Sequence, residues 1–395
     1  MGLHLNILIL SYHYHPDLSA GSFKNTALVS ALRDRLSSSD MVTVITTSPS
    51  RYNSFSALAP SFERHDRLTI YRIAVPANMN GLLDQVNAFL TYAFNVIRLL
   101  RTINSDLIYV SSSRLMTASL GAGISKIKGI PLYVDFRDIF PDAVNDVLPF
   151  RLAILIKPIF SMFEQLVVAR ASKINLVSFG FYDYFQRRYP GKSFSNFTNG
   201  VDEEFINFVP KKKRVLKREK LQVVYAGNIG KGQGLHSIIP MLAKELESDV
   251  NFKVIGDGGQ RALLEAELHA SHTKNVELLS PVERNQLKNI YDEADVLFLH
   301  LNNYEAFLKV LPSKIFEYAA TGKPIWAGVS GYAAEFLKNE VRNVTLFKPC
   351  DVNDSVRSFK ELKTKEIDRA KFIKKYLRSK IMNEMALDII EVRNI

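Results

Sequence analysis

Short apolar segments and amphipathic helical segments alternate along almost the whole 395-residue chain. The apolar segments are rich in β-branched and aromatic residues, which is typical of buried strands. In the first half they cover residues 42–47, 106–112 and 131–136. In the second half they cover residues 221–226, 252–256, 276–280, 295–301, 325–328 and 344–347. Strands that alternate with helices predict parallel sheets with crossover helices.

This alternation occurs twice. It runs from Asn6 to about Asp202 and begins again after a basic segment. Residues 1–203 and residues 204–371 are therefore predicted to form two α/β domains of ordinary size. Residues 366–392 continue as a long helical pattern without a strand partner.

Residues 312–324, PSKIFEYAATGKP, predict a short helix with a signal at each end. Ser313 is the predicted N-cap, and Gly322 followed by a proline ends the helix. Lys314 and Glu317 can then face a ligand above the helix start, where free N–H groups and the helix dipole favour an anion. An ordinary capped helix with no ligand is the alternative interpretation.

The segment after residue 226 contains four glycines within eight residues, from Gly227 to Gly234. Glycine weakens the interior of helices and strands, so we expect a loop that lies close to another group. Gly256 ends the next predicted strand and begins a similar turn. Near the N-terminus, residues 6–16 followed by Gly21 form another strand–glycine–helix unit, which is a weak signal taken alone.

Residues 133–142 place acidic groups and an arginine at the end of an apolar strand. Such groups are costly to bury, and the carboxyl end of a strand is where α/β sheets position ligand-binding groups. Asp138 is our candidate for a carboxylate that binds the substrate. In the alternative interpretation, Asp135 and Arg137 are ordinary loop residues, or Asp138 caps the following helix.

Taken together and in this order, the segments resemble the retaining, nucleotide-sugar-dependent glycosyltransferases of the GT-B fold. The resemblance is closest to family 4, in the bacterial O-antigen and capsule branch that includes FucNAc-transferase-like enzymes. That branch shares the PSK-x-x-E-Y helix and a GN-x-G-x-x-QG loop, and residues 199–202 resemble its NGVD hinge. The implied fold is two doubly wound Rossmann-like domains facing across a cleft. A C-terminal helix, about residues 372–395, would cross back to the first domain.

The resemblance also implies roles for individual residues. Those implied to bind the donor or its nucleotide are Gly227, Asn228, Lys231, Gln233, Gly256, Lys309, Leu311, Pro312, Ser313, Lys314 and Glu317. Those implied to be catalytic are Asp138, Lys314 and Glu317. Those implied to face the acceptor or the cleft are His13, Gly21, Lys24 and Asp138.

Three positions depart from the family pattern. Lys309 stands where the family has a glutamate, and Asn228 and Gln233 stand where it has an arginine and a lysine. Lys314 and Lys231 would then be the main cations at the diphosphate.

The implied activity is retaining transfer of a 2-acetamido or 6-deoxy hexosamine from a UDP-sugar. The acceptor would be a lipid-linked diphospho-sugar or an oligosaccharide in surface-polysaccharide (O-antigen, lipopolysaccharide or capsule) synthesis. Neither a cofactor nor a metal is expected, since the UDP-sugar is a substrate.

Two alternatives remain open. One is a GT-B nucleotide-sugar epimerase, whose usual acid/base cluster is not recognisable here; the other is an inactive GT-B binding subunit, which the three departures make conceivable.

Composition narrows the class of partner. A formal net charge of +11 suits nucleic acid, anionic membranes or phosphorylated substrates. No RNA-binding aromatic signature, zinc spacing or helix-turn-helix favours nucleic acid. His13 and His15 lack a nearby third ligand, which argues against a metal site. The single cysteine, Cys350, suits a reducing compartment.

The expected location is cytoplasmic and peripheral, on the inner face of the cytoplasmic membrane. No signal peptide is recognisable, and no uncharged apolar run reaches the roughly eighteen residues of a membrane span. Residues 148–170, with Arg151 and Lys157 among apolar residues, could form an amphipathic interfacial helix. Packing in the first domain's core is the alternative. The basic run from Lys211 to Lys220 is interpreted as a solvated linker.

Overall fold

The computed structural model describes residues 4–49, 58–76, 82–147, 150–206 and 219–394. The chain divides into two compact units. The first comprises Met1–Asn199 and Arg378–Ile395, and the second comprises Gly200–Leu377. Each unit contains its own sheet. Most of the predicted basic linker, residues 211–218, lies outside the described residues.

The first unit is built on eight strands. They are β1 (Asn6–Leu10), β2 (Met41–Thr47), β3 (Phe62–His65), β4 (Leu68–Ile73), β5 (Leu107–Ser111), β6 (Leu132–Phe136), β7 (Lys173–Leu176) and β8 (Phe194–Ser195). Their order is β3-β4-β2-β1-β5-β6-β7-β8. The central strands β1, β5 and β6 are almost entirely buried, as expected for parallel strands covered by helices on both faces.

One edge of this sheet departs from the parallel prediction. Strand β3 pairs antiparallel with β4, and only Asp66 and Arg67 separate the two strands. A turn this short can connect only antiparallel neighbours, because a parallel pair needs a crossover connection.

Within the described part of residues 1–199, six helices accompany these strands. They are α1 (Ala20–Arg35), α2 (Leu82–Leu99), α3 (Leu115–Lys128), α4 (Phe140–Val147), α5 (Phe150–Arg170) and α6 (Tyr182–Arg188). Helix α1 has a side-chain cap, since Ser19 Oγ accepts a hydrogen bond of 3.1 Å from the backbone N–H of Ser22.

The second unit is built on six parallel strands. They are β9 (Leu221–Ala226), β10 (Val250–Ile255), β11 (Val276–Leu279), β12 (Val296–His300), β13 (Ile325–Gly328) and β14 (Val344–Phe347). Their order is β11-β10-β9-β12-β13-β14. The predicted strands at residues 221–226, 325–328 and 344–347 coincide with β9, β13 and β14.

Helices cover this second sheet. They are α7 (Leu235–Glu245), α8 (Arg261–Ala270), α9 (Arg284–Glu293), α10 (Lys314–Ala320), α11 (Gly331–Glu340), α12 (Val352–Phe359) and α13 (Ala370–Lys375). Strands β9 and β12 are neighbours in the sheet although two strands separate them in sequence. The strand order reverses at this point, and α/β sheets bind ligands beyond the carboxyl ends of the strands there.

The long C-terminal helix predicted for about residues 372–395 is two helices. Helix α13 ends at Lys375, Leu377 forms a β-bridge with Val201, and α14 (Arg378–Glu391) begins at Arg378. Phe372 belongs to the core of the second unit. Helix α14 packs against α1 within the first unit, so the part that crosses back begins only at Arg378.

Candidate functional site

The glycine-rich segment after β9 is a loop held against the turn that follows β10. The backbone N–H of Gly227 donates to Ile255 at 2.9 Å, and that of Ile229 donates to Asp257 at 2.8 Å. Gly256 has a φ of 152°, and a Cβ there would lie 1.8 Å from the carbonyl oxygen of Gly227. Only glycine permits this approach. The predicted close contact therefore exists, and its neighbour is a loop of the same unit.

Asn228 and Gln233 brace the loop from within. Asn228 Nδ2 donates to Gln233 Oε1 at 2.7 Å, and the same oxygen accepts a bond of 3.3 Å from the N–H of Gly230. The hydroxyl of Tyr225 donates to the carbonyl of Asn228 at 2.6 Å. The residues that replace the family's arginine and lysine thus shape the loop, while Lys231 is exposed on it.

His300, at the end of β12, connects this loop to the rest of the sheet. Its Nδ1–H donates to the carbonyl of Gln233 at 2.6 Å, and its Nε2 accepts from the N–H of Cys350 at 3.0 Å. Burial lowers the pKa of His300 to about 4, so the ring is neutral at physiological pH. Gly328 leaves room for the ring, since a Cβ there would lie 2.4 Å from its Cδ2.

Asn302 and Cys350 hold the loop from the same side. Asn302 Nδ2 donates to the carbonyl of Lys231 at 2.9 Å, and its backbone N–H donates to Gly232 at 2.8 Å. The thiol of Cys350 donates to Asn302 Oδ1 at 3.2 Å. Cys350 itself has a φ of 60°. The loop is therefore fixed by the ends of β12 and β14 as well as by β10.

Lys314 and Glu317 lie next to the same loop and pair with each other. Lys314 Nζ lies 3.0 Å from Glu317 Oε1 and 3.1 Å from Oε2. A Cβ on Gly227 would be 3.7 Å from Lys314 Cε. The structure thus brings together the two segments that the sequence singled out. Lys314, a predicted cation of the diphosphate site, is thus already paired with a carboxylate.

Two residues that the sequence did not single out complete this group. The buried hydroxyl of Tyr291 donates to Glu317 Oε1 at 2.5 Å and accepts from Lys314 Nζ at 3.3 Å. Arg284 lies 2.7 Å from Asp202 and also pairs with Glu204. Burial opposes ionisation of Glu317, but Lys314, Arg284 and the Tyr291 hydroxyl outweigh it and hold the pKa of Glu317 below its ordinary value.

The start of α10 differs from its prediction. Ser313 precedes the helix at the predicted N-cap position, but it has helical dihedral angles and its side chain makes no capping bond. The N–H of Ile315 instead donates to the carbonyl of Pro312 at 3.1 Å, which forms a tighter first turn. At the other end Gly322 has a φ of 74°, as its predicted capping role requires.

The other two donor-site residues lie just before this helix. Lys309 is the last residue of a 3₁₀ turn, Glu305–Lys309, and is half-buried. The side chain of Leu311 is buried in the unit's core. Leu311 can therefore offer a ligand only its backbone, whereas Lys309 stays a predicted donor contact.

In the first unit, Lys24 is fully buried and does not present its charge to a ligand. Its Nζ donates to Asp135 Oδ1 at 2.8 Å and to the carbonyl of Phe197 at 2.9 Å. Asp135 Oδ1 also accepts from Asn175 at 2.6 Å, and Oδ2 accepts from the hydroxyl of Tyr109 at 3.2 Å. Burial lowers the pKa of Lys24 to about 8. The prediction that Lys24 faces the acceptor is therefore replaced by an internal ion pair.

Asp135 is not a loop residue, because it lies in β6 and is fully buried. Arg137 follows it, with Nη1 lying 3.5 Å from Asp135 Oδ2 and Nη2 donating to Asn199 Oδ1 at 2.9 Å. A Cβ on Gly21 would lie 3.6 Å from Arg137 Nε, so Gly21 lies close to this side chain. Gly21 thus belongs to the same network of the first unit as Asp135.

Asp138 and His13 are the remaining predicted acceptor residues. Asp138 is half-buried in the segment between β6 and α4. His13 is buried, and its Nδ1 lies 3.2 Å from Asp17. Contact of either residue with an acceptor stays a prediction. Across the described ranges, no group of three or more His, Cys, Asp or Glu side chains is arranged to hold a metal ion.

Comparison with known proteins identifies the type of domain to which these residues belong. Residues 209–378, which make up most of the second unit, match the family described as glycosyl transferases group 1. No curated protein sequence matches the chain. The second unit therefore carries a group 1 glycosyl transferase domain.

Solved structures resemble the chain over nearly its whole length. Sucrose-phosphate synthase from Thermosynechococcus elongatus has a TM-score of 0.71 at 13% identity, over 99% of this chain and 96% of that one. HepE from Anabaena, in complex with UDP-glucose, has a TM-score of 0.68 at 17% identity, over 98% and 100%. WaaG, a glycosyltransferase involved in lipopolysaccharide biosynthesis, has a TM-score of 0.65 at 14% identity, over 98% and 97%.

At these identities the likeness establishes the fold. With two Rossmann-like sheets and neighbours that cover both chains, the predicted GT-B fold is confirmed. The family match and this fold together support a glycosyltransferase.

Proposed function

We propose that the protein is a retaining glycosyltransferase that takes its sugar from a UDP-sugar without a metal. The observation that carries this proposal is the contact between the glycine-rich loop and helix α10, where a Cβ on Gly227 would lie 3.7 Å from Lys314 Cε. Both segments lie within residues 209–378, the part that matches the family. A diphosphate held there would accept hydrogen bonds from loop N–H groups and from Lys314.

In this mechanism the protein stabilises the negative charge that grows on the leaving phosphate. Lys314 and Lys231 are the proposed cations, and they replace a divalent metal in that role. Lys314 would exchange Glu317 for the phosphate, which frees Glu317 to accept hydrogen bonds from sugar hydroxyls. The leaving phosphate would help to deprotonate the acceptor on the same face, which retains the configuration. Asp138 is the proposed carboxylate for the acceptor.

The donor is tested by calorimetric titration of the protein with UDP, GDP and UDP-N-acetylglucosamine. We expect UDP to bind more tightly than GDP, and EDTA to change neither affinity.

Gly256→Ala should abolish binding because its Cβ would collide with Gly227, whereas Gly259→Ala, which meets no atom within 4 Å, is the matched control. Equal or tighter binding of GDP would contradict the proposed donor. NMR of the transferred sugar's anomeric carbon would decide retention.

We also propose that the acceptor is a lipid-linked diphospho-sugar of surface-polysaccharide synthesis, reached from the inner face of the cytoplasmic membrane. A 2-acetamido or 6-deoxy hexosamine is the proposed donor sugar. The support lies in helices α2, α3 and α5 of the first unit, where α3 packs against both α2 and α5. We call the exposed large apolar side chains of these three helices, taken together, the helical face.

The helical face is unusually apolar for an exposed surface. Its exposed large apolar side chains are Val86, Leu90, Phe94 and Ile97 on α2, Ile127 on α3, and Leu152, Ile154, Leu155, Ile159, Met162 and Leu166 on α5. Leu155 is 68% exposed and Phe94 is 69% exposed. One described helix, Arg151–Arg170, is long and apolar enough to cross a membrane, although no uncharged run of that length exists.

Packing and charge favour a helix that lies on a membrane over one that crosses it. Ala153, Val167 and Val168 of α5 are buried in the first unit, as the core-packing alternative requires, while the opposite side of α5 stays exposed. Arg98 and Arg151 are exposed beside the apolar side chains. Basic residues that flank an exposed apolar stripe are typical of interfacial helices that bind anionic lipids.

Vesicle sedimentation tests this surface. The protein should sediment with vesicles that contain phosphatidylglycerol and much less with pure phosphatidylcholine. Leu155→Glu and Phe94→Glu should release it, whereas Leu263→Glu, at an apolar position 42% exposed in the second unit, should not. If Leu155→Glu and Phe94→Glu sediment like the unaltered protein, the proposed membrane-binding surface is wrong. The proposed donor site is not affected by that result.

A further inference from the structure

We propose that Tyr291 and Arg284 are positioning residues of the donor site, which hold the carboxylate of Glu317 when Lys314 turns to the diphosphate. This inference rests on the proposed function, since it assumes a nucleotide sugar beside Gly227 and Lys314. Neither residue touches the reacting atoms in this mechanism. Both would act through Glu317.

The hydroxyl of Tyr291 lies between the two charged side chains. It donates to Glu317 Oε1 at 2.5 Å, while Lys314 Nζ donates to it at 3.3 Å. The tyrosine is fully buried, and its ring meets Tyr318 edge-on at a centroid distance of 5.6 Å. The ring therefore has little freedom to turn, and its hydroxyl marks a fixed position for one carboxylate oxygen.

Glu317 is mostly buried, with a side chain only 13% exposed. A carboxylate in such a place is strongly destabilised when it loses its cation, unless other donors or charges compensate. Transfer of Lys314 to a phosphate removes two hydrogen bonds from Glu317. The bond from Tyr291 stays, because it does not involve Lys314. Glu317 can therefore stay ionised and in place during the exchange.

Arg284 supplies the second, longer-range contribution. It begins α9, the helix whose last turn carries Tyr291, and its guanidinium pairs with Asp202 and Glu204. Burial opposes its charge, but the charges of Glu317, Asp202 and Glu204 outweigh that effect and raise the pKa of Arg284 above its ordinary value. Arg284 thus stays a cation beside Glu317 whatever Lys314 does. It also ties the donor site to Asp202, which follows the start of this unit at Gly200.

Calorimetry with UDP and UDP-N-acetylglucosamine between about pH 5 and 8 tests the inference on Tyr291→Phe, Arg284→Gln and Arg284→Lys. Tyr291→Phe removes one hydrogen bond to a charged group, so the affinity for UDP-N-acetylglucosamine should fall about tenfold. Glu317 would also take up a proton at higher pH, so the loss of affinity on acidification should begin at higher pH than in the unaltered protein. Arg284→Lys, which keeps the charge, should restore much of what Arg284→Gln loses.

The matched control is Tyr133→Phe in the first unit, since Tyr133 is also a buried tyrosine whose hydroxyl donates to a carboxylate, Asp388, at 2.8 Å. It should lower the melting temperature in the same way and leave donor affinity and its pH dependence unchanged. If Tyr291→Phe and Arg284→Gln bind the donor as the unaltered protein does at every pH, the inference is wrong and the proposed function stands. If the unaltered protein binds neither ligand, both are overturned.

Discussion

Each unit contains a lysine paired with a carboxylate, and the two pairs differ in almost every other respect. Lys24 and Asp135 come from positions 111 residues apart and are both fully buried. Lys314 and Glu317 are one helical turn apart, with side chains 24% and 13% exposed. The resemblance to known enzymes implied that both lysines face a ligand. Only the second pair lies where a ligand could reach it.

The partners around each pair explain the difference. Asp135 also accepts hydrogen bonds from Asn175 and Tyr109, and Lys24 also donates to the carbonyl of Phe197, so neither charge can leave without loss. Glu317 keeps a bond from Tyr291 when Lys314 moves away. A buried ion pair thus contributes to the fold when the hydrogen bonds around it need both charges in place. Such a pair can instead take part in ligand binding when another donor still compensates the carboxylate after its lysine has moved away.

The largest effect should come from breaking the first pair. Lys24→Met leaves the buried carboxylate of Asp135 with only its longer ion pair to Arg137, at 3.5 Å, which should lower the free energy of unfolding by about 3–5 kcal/mol. Urea unfolding measures this loss. The double variant Lys24→Met/Asp135→Asn should recover part of it, because position 135 then carries no buried negative charge, although Arg137 loses its carboxylate partner. If Lys24→Met is as stable as the unaltered protein, the comparison between the two ion pairs is wrong.

Acid should act on the second unit through His300. The unfolded imidazole binds a proton near pH 6.5, but the folded one does so only near pH 4. Between these values the unfolded chain binds more protons, so stability is full above about pH 6.5 and falls as the pH is lowered, by about 3 kcal/mol in all. Urea unfolding of the unaltered protein and of His300→Gln across this window should show a clearly stronger pH dependence of stability in the former.

Two neighbouring groups affect the ring of His300, and one of them, His236, is titratable and provides the check on this result. The charge of His236 lowers the pKa of His300, and the backbone N–H of Cys350 donates a hydrogen bond to the His300 ring. His236→Gln should therefore keep most of the pH dependence. If His236→Gln removes it and His300→Gln keeps it, the assignment to His300 is refuted.

Loss of the second lysine should affect binding more than stability. Lys314→Ala removes one charge-assisted hydrogen bond to the diphosphate, worth about 1.5–3 kcal/mol, so UDP affinity should fall at least tenfold. Its melting temperature should change far less than that of Lys24→Met. Lys338→Ala, at an exposed lysine of α11, is the control and should leave affinity unchanged. Unchanged UDP affinity in Lys314→Ala would remove this residue from the donor site.

The smallest structural effect is expected at Lys309, the position where the resemblance drawn from the sequence would place a glutamate. Lysine can only donate hydrogen bonds, so it would hold acceptor atoms of the donor sugar or a phosphate. Lys309→Glu should then lower kcat/KM sharply, and Lys309→Ala should lower it less. If both variants keep the turnover of the unaltered protein, Lys309 is a solvated residue with no part in the site.

The sequence predicted the strands of the second sheet well because their signal is local. Runs such as residues 221–226 and 325–328 are apolar and bounded by glycine or polar residues, and they coincide with β9 and β13. The break between α13 and α14 was missed because Leu377 leaves the helix to pair with Val201, far away in sequence. Periodicity within a segment cannot report such a contact.

The site was predicted only in part, for the same reason. Glycine spacing and the capped helix identified the loop and Lys314, since both are local patterns. Tyr291 and His300 look like core residues in the sequence, because one lies in an amphipathic helix and the other ends an apolar strand. For His300, the available signal was a histidine at the end of a predicted strand. This strand lies where the strand order of the sheet reverses. The burial of Lys24 depends on Asp135, a distant partner that no local pattern indicates.

The hydrogen bond of Cys350 to Asn302 has a practical consequence. Cys350 is the chain's single cysteine, it is partly exposed, and Asn302 in turn holds the carbonyl of Lys231 in the glycine-rich loop. A small fluorinated tag placed on this thiol would take the place of the S–H donor beside Asn302, and its position next to the loop would let it report on the loop without any engineered attachment point. Fluorine NMR of the tagged protein could then follow loop rearrangement in real time as nucleotides are added, through one resonance in an otherwise silent spectrum.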